Sequence, residues 1–99
     1  PVPTVLSVSA DDLVLTAAQK DATRVVVKIL DQCGNLLPFL DEIIQLEVEG
    51  PGRIQGPSTV VLKGGAIAFW VETRNEPGVI SVTVRSQSVG EKTVRFEVV

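Results

Sequence analysis

Short runs in which apolar and polar side chains alternate make up most of the chain. The clearest run is Ala22–Leu30, where the odd positions from 25 to 29 are all aliphatic and the two flanking positions 24 and 28 are Arg and Lys. A period of two is typical of a strand with one face toward a core. No segment combines a sustained helical period with capping residues, so the pattern predicts an all-β fold.

Clusters of Gly, Pro, Asn and Asp separate these runs and predict turns, since Gly and Asn tolerate positive φ and Pro cannot donate to a ladder. The predicted strands cover residues 4–9, 22–30, 44–48, 60–62, 66–73, 79–86 and 93–99. Residues 13–15 are a candidate for a short extension that switches between sheets. Gly50-Pro51-Gly52 is expected to end the third strand, with a loop through Gly56-Pro57 after it.

About seven strands at this spacing predict an immunoglobulin-like β-sandwich of antiparallel strands in two sheets, with a closed barrel as the alternative. In an immunoglobulin-like order, strand 66–73 pairs with strand 22–30. The side chains expected to point inward are Leu6, Val25, Val27, Ile29, Ile44, Leu46, Val48, Leu62, Ile67, Phe69, Val71, Ile80, Val82, Val84, Val94, Phe96 and Val98.

The length of 99 residues is enough for one sizeable core and too short for two, so we predict a single domain over residues 1–99. The chain opens Pro1-Val2-Pro3, with no initiator Met and no signal-peptide pattern, and is interpreted as a piece of a longer polypeptide. The residues leave its compartment open. Cys33 is the only cysteine, so the predicted sandwich must hold without an intrachain disulfide.

Charge and hydropathy argue against two classes of partner. The net charge is −3 and the basic residues are dispersed singly, so no basic stripe predicts nucleic-acid binding. No apolar run approaches the roughly 20 residues of a membrane helix, so no membrane partner is predicted.

Catalysis is not predicted, because the chain contains no histidine to serve as a general base beside its serines. Glycoside hydrolysis needs two carboxylates that flank the scissile bond. Glu47 and Glu49 share one strand face and are expected to be solvated, as are Glu72 and Glu97. We therefore predict no catalytic residues, no cofactor site and no metal site.

The turn after strand 22–30 offers one alternative to the prediction of no metal. Asp31, Asn35, Asp41 and Glu42 are oxygen donors on adjacent loops, as a calcium site requires, but their spacing matches no dedicated calcium loop. Hydrogen bonding within the turn explains Asp31 and Asn35 more simply. Cys33 in this turn is expected to be an inert thiol.

Trp70 is the candidate for an interaction site. If the apolar odd positions 67 to 71 point inward, Trp70 points outward, near Val26 and between Arg24 and Lys28 of the neighbouring strand. One interpretation is a surface tryptophan that packs on aliphatic stems with a cation–π contact to Arg24 or Lys28. The other is a docking patch for another domain, with a sugar platform as a third and weaker possibility.

Two segments carry a family resemblance. The strand Asp21-Ala22-Thr23-Arg24-Val25-Val26-Val27 and the following turn Leu30-Asp31-Gln32-Cys33-Gly34-Asn35-Leu36-Leu37-Pro38 resemble bacterial immunoglobulin-like repeats, including those of intimin and invasin. A narrower resemblance, over about residues 13–99, is to the C-terminal immunoglobulin-like domain of family 2 glycoside hydrolases, the β-galactosidases. Its motifs are Leu46-Glu47-Val48-Glu49-Gly50-Pro51-Gly52, Ile54-Gln55-Gly56-Pro57, Gly64-Gly65, Ala68-Phe69-Trp70-Val71 and Glu76-Pro77-Gly78.

The narrower resemblance implies a non-catalytic accessory domain of a glycosidase whose two catalytic glutamates lie in a separate barrel domain, so no catalytic position is carried over to this chain. Its partners would be other domains of the parent chain, and carbohydrate as a weaker candidate. Cys33 departs from the family pattern at the turn. The alternative hypothesis is a spacer module of a bacterial surface adhesin.

Overall fold

Nine β-strands are present within residues 3–16, 21–74 and 76–99, the parts of the chain that the computed structural model describes. They are β1 (Val5–Ala10), β2 (Val14–Leu15), β3 (Ala22–Leu30), β4 (Glu42–Glu49), β5 (Gly52–Gln55), β6 (Thr59–Leu62), β7 (Ala66–Thr73), β8 (Gly78–Ser86) and β9 (Gly90–Val98). No helix in these parts is long and apolar enough to cross a bilayer.

The strands form a four-stranded sheet in the order β1-β3-β7-β5 and a five-stranded sheet in the order β2-β9-β8-β4-β6. The predicted all-β sandwich is confirmed, and so is the pairing of β7 with β3. The switch at residues 13–15 is also present, because β1 pairs with β3 in one sheet and β2 pairs with β9 in the other. That β2–β9 pair is parallel, unlike the antiparallel pairs elsewhere.

The core lies between the two sheets. Phe96 and Val84 are fully buried, and Phe69 of the facing sheet is 6% exposed. Most of the predicted inward set is buried, whereas three of its members, Val48, Ile67 and Val94, lie half-buried at the margin. Leu15 was not among the side chains predicted to point inward. It is only 1% exposed, because β2 pairs with β9 and so places Leu15 in the core.

The predicted loop after residue 50 is wrong in part, because residues 52–55 form the edge strand β5 along β7. Pro51 does not prevent this, since it precedes the strand and a proline is tolerated at a strand start or edge. Gly50, with a φ of 94°, lies where the chain leaves β4 in one sheet for β5 in the other. This strand adds Arg53 and Gln55 to the sheet beside Trp70.

Candidate interaction surface

Trp70 lies on the outer face of the four-stranded sheet and is 47% exposed. Its strand β7 is flanked by β3 and β5, and the register sets Trp70 between Arg24 on one side and Gln55 on the other. Ala68, the next outward residue of β7, leaves the adjoining surface low and open. We call the surface formed by Trp70, Arg24, Val26 and Gln55 the Trp70 face.

Val26 lies next to Trp70 on the outer face, whereas Lys28 lies farther along the strand. Val26 pairs with Ala68 and is half-buried, one position along the face from Trp70. Lys28 pairs with Ala66, four residues or about 13 Å along the strand from the Arg24 position. The expectation that Trp70 sits between Arg24 and Lys28 is therefore wrong, because Arg24 itself is its direct partner.

Arg24 forms an exposed ion pair with Asp11 beside the face. Its Nε lies 3.4 Å from Oδ2 of Asp11, and both side chains are about half exposed. Such an exposed pair is weak, so the guanidinium remains available to an incoming partner surface. The flat aromatic ring beside an arginine is a composition typical of the centre of protein interfaces.

Glu72 is buried, whereas the sequence predicted a solvated side chain. It points to the same outer face as Trp70, as expected from parity, yet its side chain is fully buried instead of solvated. Arg53 Nε donates a hydrogen bond to Oε1, and Gln55 Nε2 donates one to Oε2 at 2.7 Å. Both donors belong to β5, so the edge strand covers the carboxylate and the arginine stem shields it from water.

The remaining acidic candidates are exposed on one sheet face. Glu47, Glu49 and Glu97 all lie on the outer face of the five-stranded sheet. Arg85 bridges Glu47 and Glu91 across three strands, and these hydrogen bonds, that to Glu47 foremost, raise the pKa of the guanidinium above its ordinary value. Glu47 and Glu91 are thus joined through Arg85 in a surface ion-pair network.

Three of the four oxygen donors in the calcium alternative accept hydrogen bonds from the protein itself. Asp31 Oδ1 accepts hydrogen bonds from the amides of Cys33 at 2.8 Å and Asn35 at 2.9 Å. Asp41 accepts from the amide of Gly64, and Glu42 accepts from the hydroxyl of Ser86. Across the described parts of the chain, no group of three or more His, Cys, Asp or Glu side chains is arranged to hold a metal ion.

Asp31 therefore stabilises the turn that follows β3. The hydrogen bond from the Asn35 amide, reinforced by that from Cys33, lowers the pKa of the Asp31 carboxyl below its ordinary value against a smaller opposing effect of burial. Cys33 is exposed at the tip of this turn.

Comparison with known proteins gives one consistent result. Residues 6–95 match the family model of glycoside hydrolase family 2 C-terminal domain 5. A β-galactosidase of Thermoanaerobacterium thermosulfurigenes is 64% identical over 66 residues, or 67% of this chain and 9% of that protein. A β-galactosidase of Rhizobium radiobacter is 42% identical over 98 residues, or 99% of this chain and 71% of that sequence.

The fold itself recurs in solved structures. A glycosyl hydrolase family 2 member from Bacteroides cellulosilyticus superposes with a TM-score of 0.94 at 16% identity, covering 100% of this chain and 14% of that one. This chain therefore spans a small part of the length of both the Thermoanaerobacterium protein and the Bacteroides structure.

Proposed function

Because this chain belongs to the C-terminal domain 5 family of glycoside hydrolase family 2, we propose that it is a non-catalytic accessory domain of a β-galactosidase-type enzyme. It acts by packing against other domains of that enzyme. The short span of the chain along the Thermoanaerobacterium β-galactosidase, 9% of its length, supports this role, since most of such a protein lies outside this sandwich.

The observation that carries the packing role is the Trp70 face. A tryptophan with 47% of its surface exposed in the middle of a sheet face leaves a large apolar ring in water. Burial of this exposed half against a partner removes that cost, and at about 25 cal/mol per Å² the gain is about 2–3 kcal/mol. Arg24 and Gln55 on either side supply hydrogen-bond donors for the rim of an interface.

The adhesin-spacer hypothesis predicts the same sandwich but a different parent. The family match over residues 6–95 and the two β-galactosidase relatives favour the glycosidase parent. Chemistry is assigned to the rest of that parent, since the exposed glutamates of this chain lie on a sheet face and Glu72 is sequestered by Arg53.

Substitution of Trp70 tests the packing role in two settings. Trp70→Ala is expected to leave the 99-residue chain folded, with only a small drop in its thermal unfolding midpoint, because the ring lies outside the core between the sheets. In the full-length parent it is expected to lower the unfolding temperature of this domain and to speed its release by limited proteolysis. Val79→Ala, an exposed apolar residue on the other sheet, is the matched control.

Two results would count against the proposal. Unfolding of the 99-residue chain by Trp70→Ala would make Trp70 a part of its own fold, and an unaffected parent would remove the Trp70 face as a docking site. The purified 99-residue chain should also fail to hydrolyse chromogenic galactosides at a rate above buffer. Measurable turnover there would contradict the non-catalytic role.

Weak carbohydrate association is a second candidate that one observation favours. Strand β5 places Gln55 directly across from Trp70 in the register, so a polar side chain neighbours the ring, with its Nε2 donating to Glu72 Oε2 at 2.7 Å. Trp70 is the only tryptophan in the chain, so its fluorescence reports on this face alone. A saturable change with millimolar galacto-oligosaccharide that Gln55→Ala abolishes would support sugar binding, and no change would exclude it.

A further inference from the structure

Phe39 is 97% exposed, the most exposed large apolar side chain among the described residues. It lies in the connection between β3 and β4, next to Pro38 and Leu40. Phenylalanine is normally among the more buried residue types, so a ring left almost wholly in water is an unusual feature of a folded surface.

The segment that carries Phe39 is firmly held. Leu37 and Leu40 on either side pack against the core, and the Leu40 carbonyl accepts a hydrogen bond from the amide of Gly65 at 2.9 Å. Gly65, with a φ of 79°, lies so close to this segment that a Cβ there would be 2.6 Å from the Leu37 carbonyl oxygen. The residues on both sides of Phe39 are therefore held by packing and hydrogen bonds, while the Phe39 ring itself points into solvent.

Phe39 also borders an apolar groove of about 440 Å³, lined by Pro3, Leu37, Pro38, Phe39 and Leu40. No charged side chain is among these lining residues. Exposed apolar patches bounded by polar residues are typical of protein interaction sites. We call this surface the Phe39 groove.

Pro3, which lines the groove, is also where the polypeptide reaches β1, so the chain that precedes Pro3 lies next to the groove. The polypeptide enters the sandwich here, since the amide of Thr4 donates to the carbonyl of Leu30 at 2.9 Å and β1 begins at the next residue. The family is a C-terminal domain, and the Thermoanaerobacterium relative extends far beyond the matched segment. Any domain that precedes this one is tethered at the rim of the groove, at high effective concentration.

We propose that the Phe39 groove receives an apolar surface of the domain that precedes this one in the parent enzyme. The inference rests on the proposed accessory role. It concerns a different surface from the Trp70 face, because Arg24 and Leu30 are six residues apart on β3, or about 20 Å along the strand. Insertion of the Phe39 ring fixes the angle between the two domains, which a flexible tether alone would leave open.

Hydroxyl-radical footprinting tests both surfaces in one experiment, because aromatic rings are oxidised in proportion to their exposure. The oxidation rates of Phe39 and Trp70 are compared between the 99-residue chain and the full-length parent. We expect Phe39 to be severalfold slower in the parent. Equal Phe39 rates with a protected Trp70 would overturn this inference alone, whereas equal rates at both residues would also remove the proposed packing role.

A variant at Phe39 tests the consequence for the junction. Phe39→Ser is expected to leave the unfolding midpoint of the 99-residue chain unchanged, because the ring makes almost no buried contact. In the parent it should increase protease cleavage at the junction with the preceding domain severalfold. Leu13→Ser, an exposed apolar residue near the opposite end of the sandwich, is the control and should not increase cleavage. A destabilised 99-residue chain, or a parent with unchanged cleavage, would refute the docking of Phe39.

Discussion

At the scale of single residues, Glu72 shows how a polar residue on the solvent side of a sheet becomes part of the packed structure. Strand parity puts it on the outer face, and the edge strand β5 then closes over it with Arg53 and Gln55. The partners differ in exposure: Glu72 is fully buried, whereas the side chain of Arg53 is 58% exposed. Loss of either partner therefore has unequal consequences.

We expect Arg53→Ala to destabilise the chain more than Glu72→Gln. Removal of the arginine withdraws a charge-assisted hydrogen bond from a buried carboxylate, which costs about 1–3 kcal/mol. Glu72→Gln keeps the shape and leaves an arginine that water already solvates. Urea unfolding of both single variants and the double variant measures this, and the arginine substitution should cost less when residue 72 is Gln. Equal costs in both backgrounds would show that the pair is not coupled.

Because the pKa of Asp31 is lowered in the folded chain, we expect stability to fall as the carboxylate becomes protonated. Its folded-state pKa is lowered by the amides of Asn35 and Cys33, so its contribution is fully present above the ordinary carboxyl value of 3.8 and is lost as the pH falls through the lowered value. Asp31→Asn should therefore destabilise the chain at pH 7 and reduce the loss of stability below about pH 4. Urea midpoints at pH 7, 4 and 2.5 test this, and parallel declines for both proteins would contradict it.

At the scale of elements, β5 decides what lies beside Trp70, and its position depends on Gly52. This glycine faces inward across the sandwich, where a Cβ would lie 2.5 Å from Cδ1 of the fully buried Ile80. No other side chain fits at that approach without displacing the core. The sequence Gly50-Pro51-Gly52 is typical of the end of a strand. Here its last glycine also begins β5 and allows that strand to lie close to the facing sheet.

Gly52→Ala is expected to cost about 1–3 kcal/mol of stability through overpacking against Ile80. Ile80→Val removes the Cδ1 atom that the new methyl group would meet. The alanine substitution should therefore cost measurably less in the Ile80→Val background, in thermal or urea unfolding. If the cost is the same in both backgrounds, the close approach at Gly52 is not what requires a glycine there.

At the scale of the whole molecule, two surfaces that each carry an exposed aromatic ring lie at different places on one sandwich. The Trp70 face is on the side of the four-stranded sheet, and the Phe39 groove is at the end where the chain enters. The core between the sheets holds this geometry without a disulfide, since the single cysteine is exposed in a turn. In the proposed accessory role, these two surfaces would contact two different neighbours.

Prediction from sequence was most successful where two-residue periodicity was long. β3 and β7 begin and end where the alternation predicts, and their buried apolar residues are among those selected by parity. It failed at β5, where four residues after a Gly-Pro-Gly turn are too short to show a period. The misplacement of Glu72 followed, because an opposite-charge pair between Arg53 and Glu72 is visible only once those two residues are known to be neighbours.

The alternating sequence by itself determined the all-β class, the inward face of each long strand and the outward direction of Trp70, because side-chain parity is a local property of the strand. The sequence also ruled out a histidine-dependent active site. Tertiary structure alone decided that Arg24 and Gln55 flank Trp70, that Glu72 is buried, and that Phe39 stands in water beside Pro3. These features depend on which segments become neighbours across the fold, and neighbour relations between distant segments are set by packing of the whole chain.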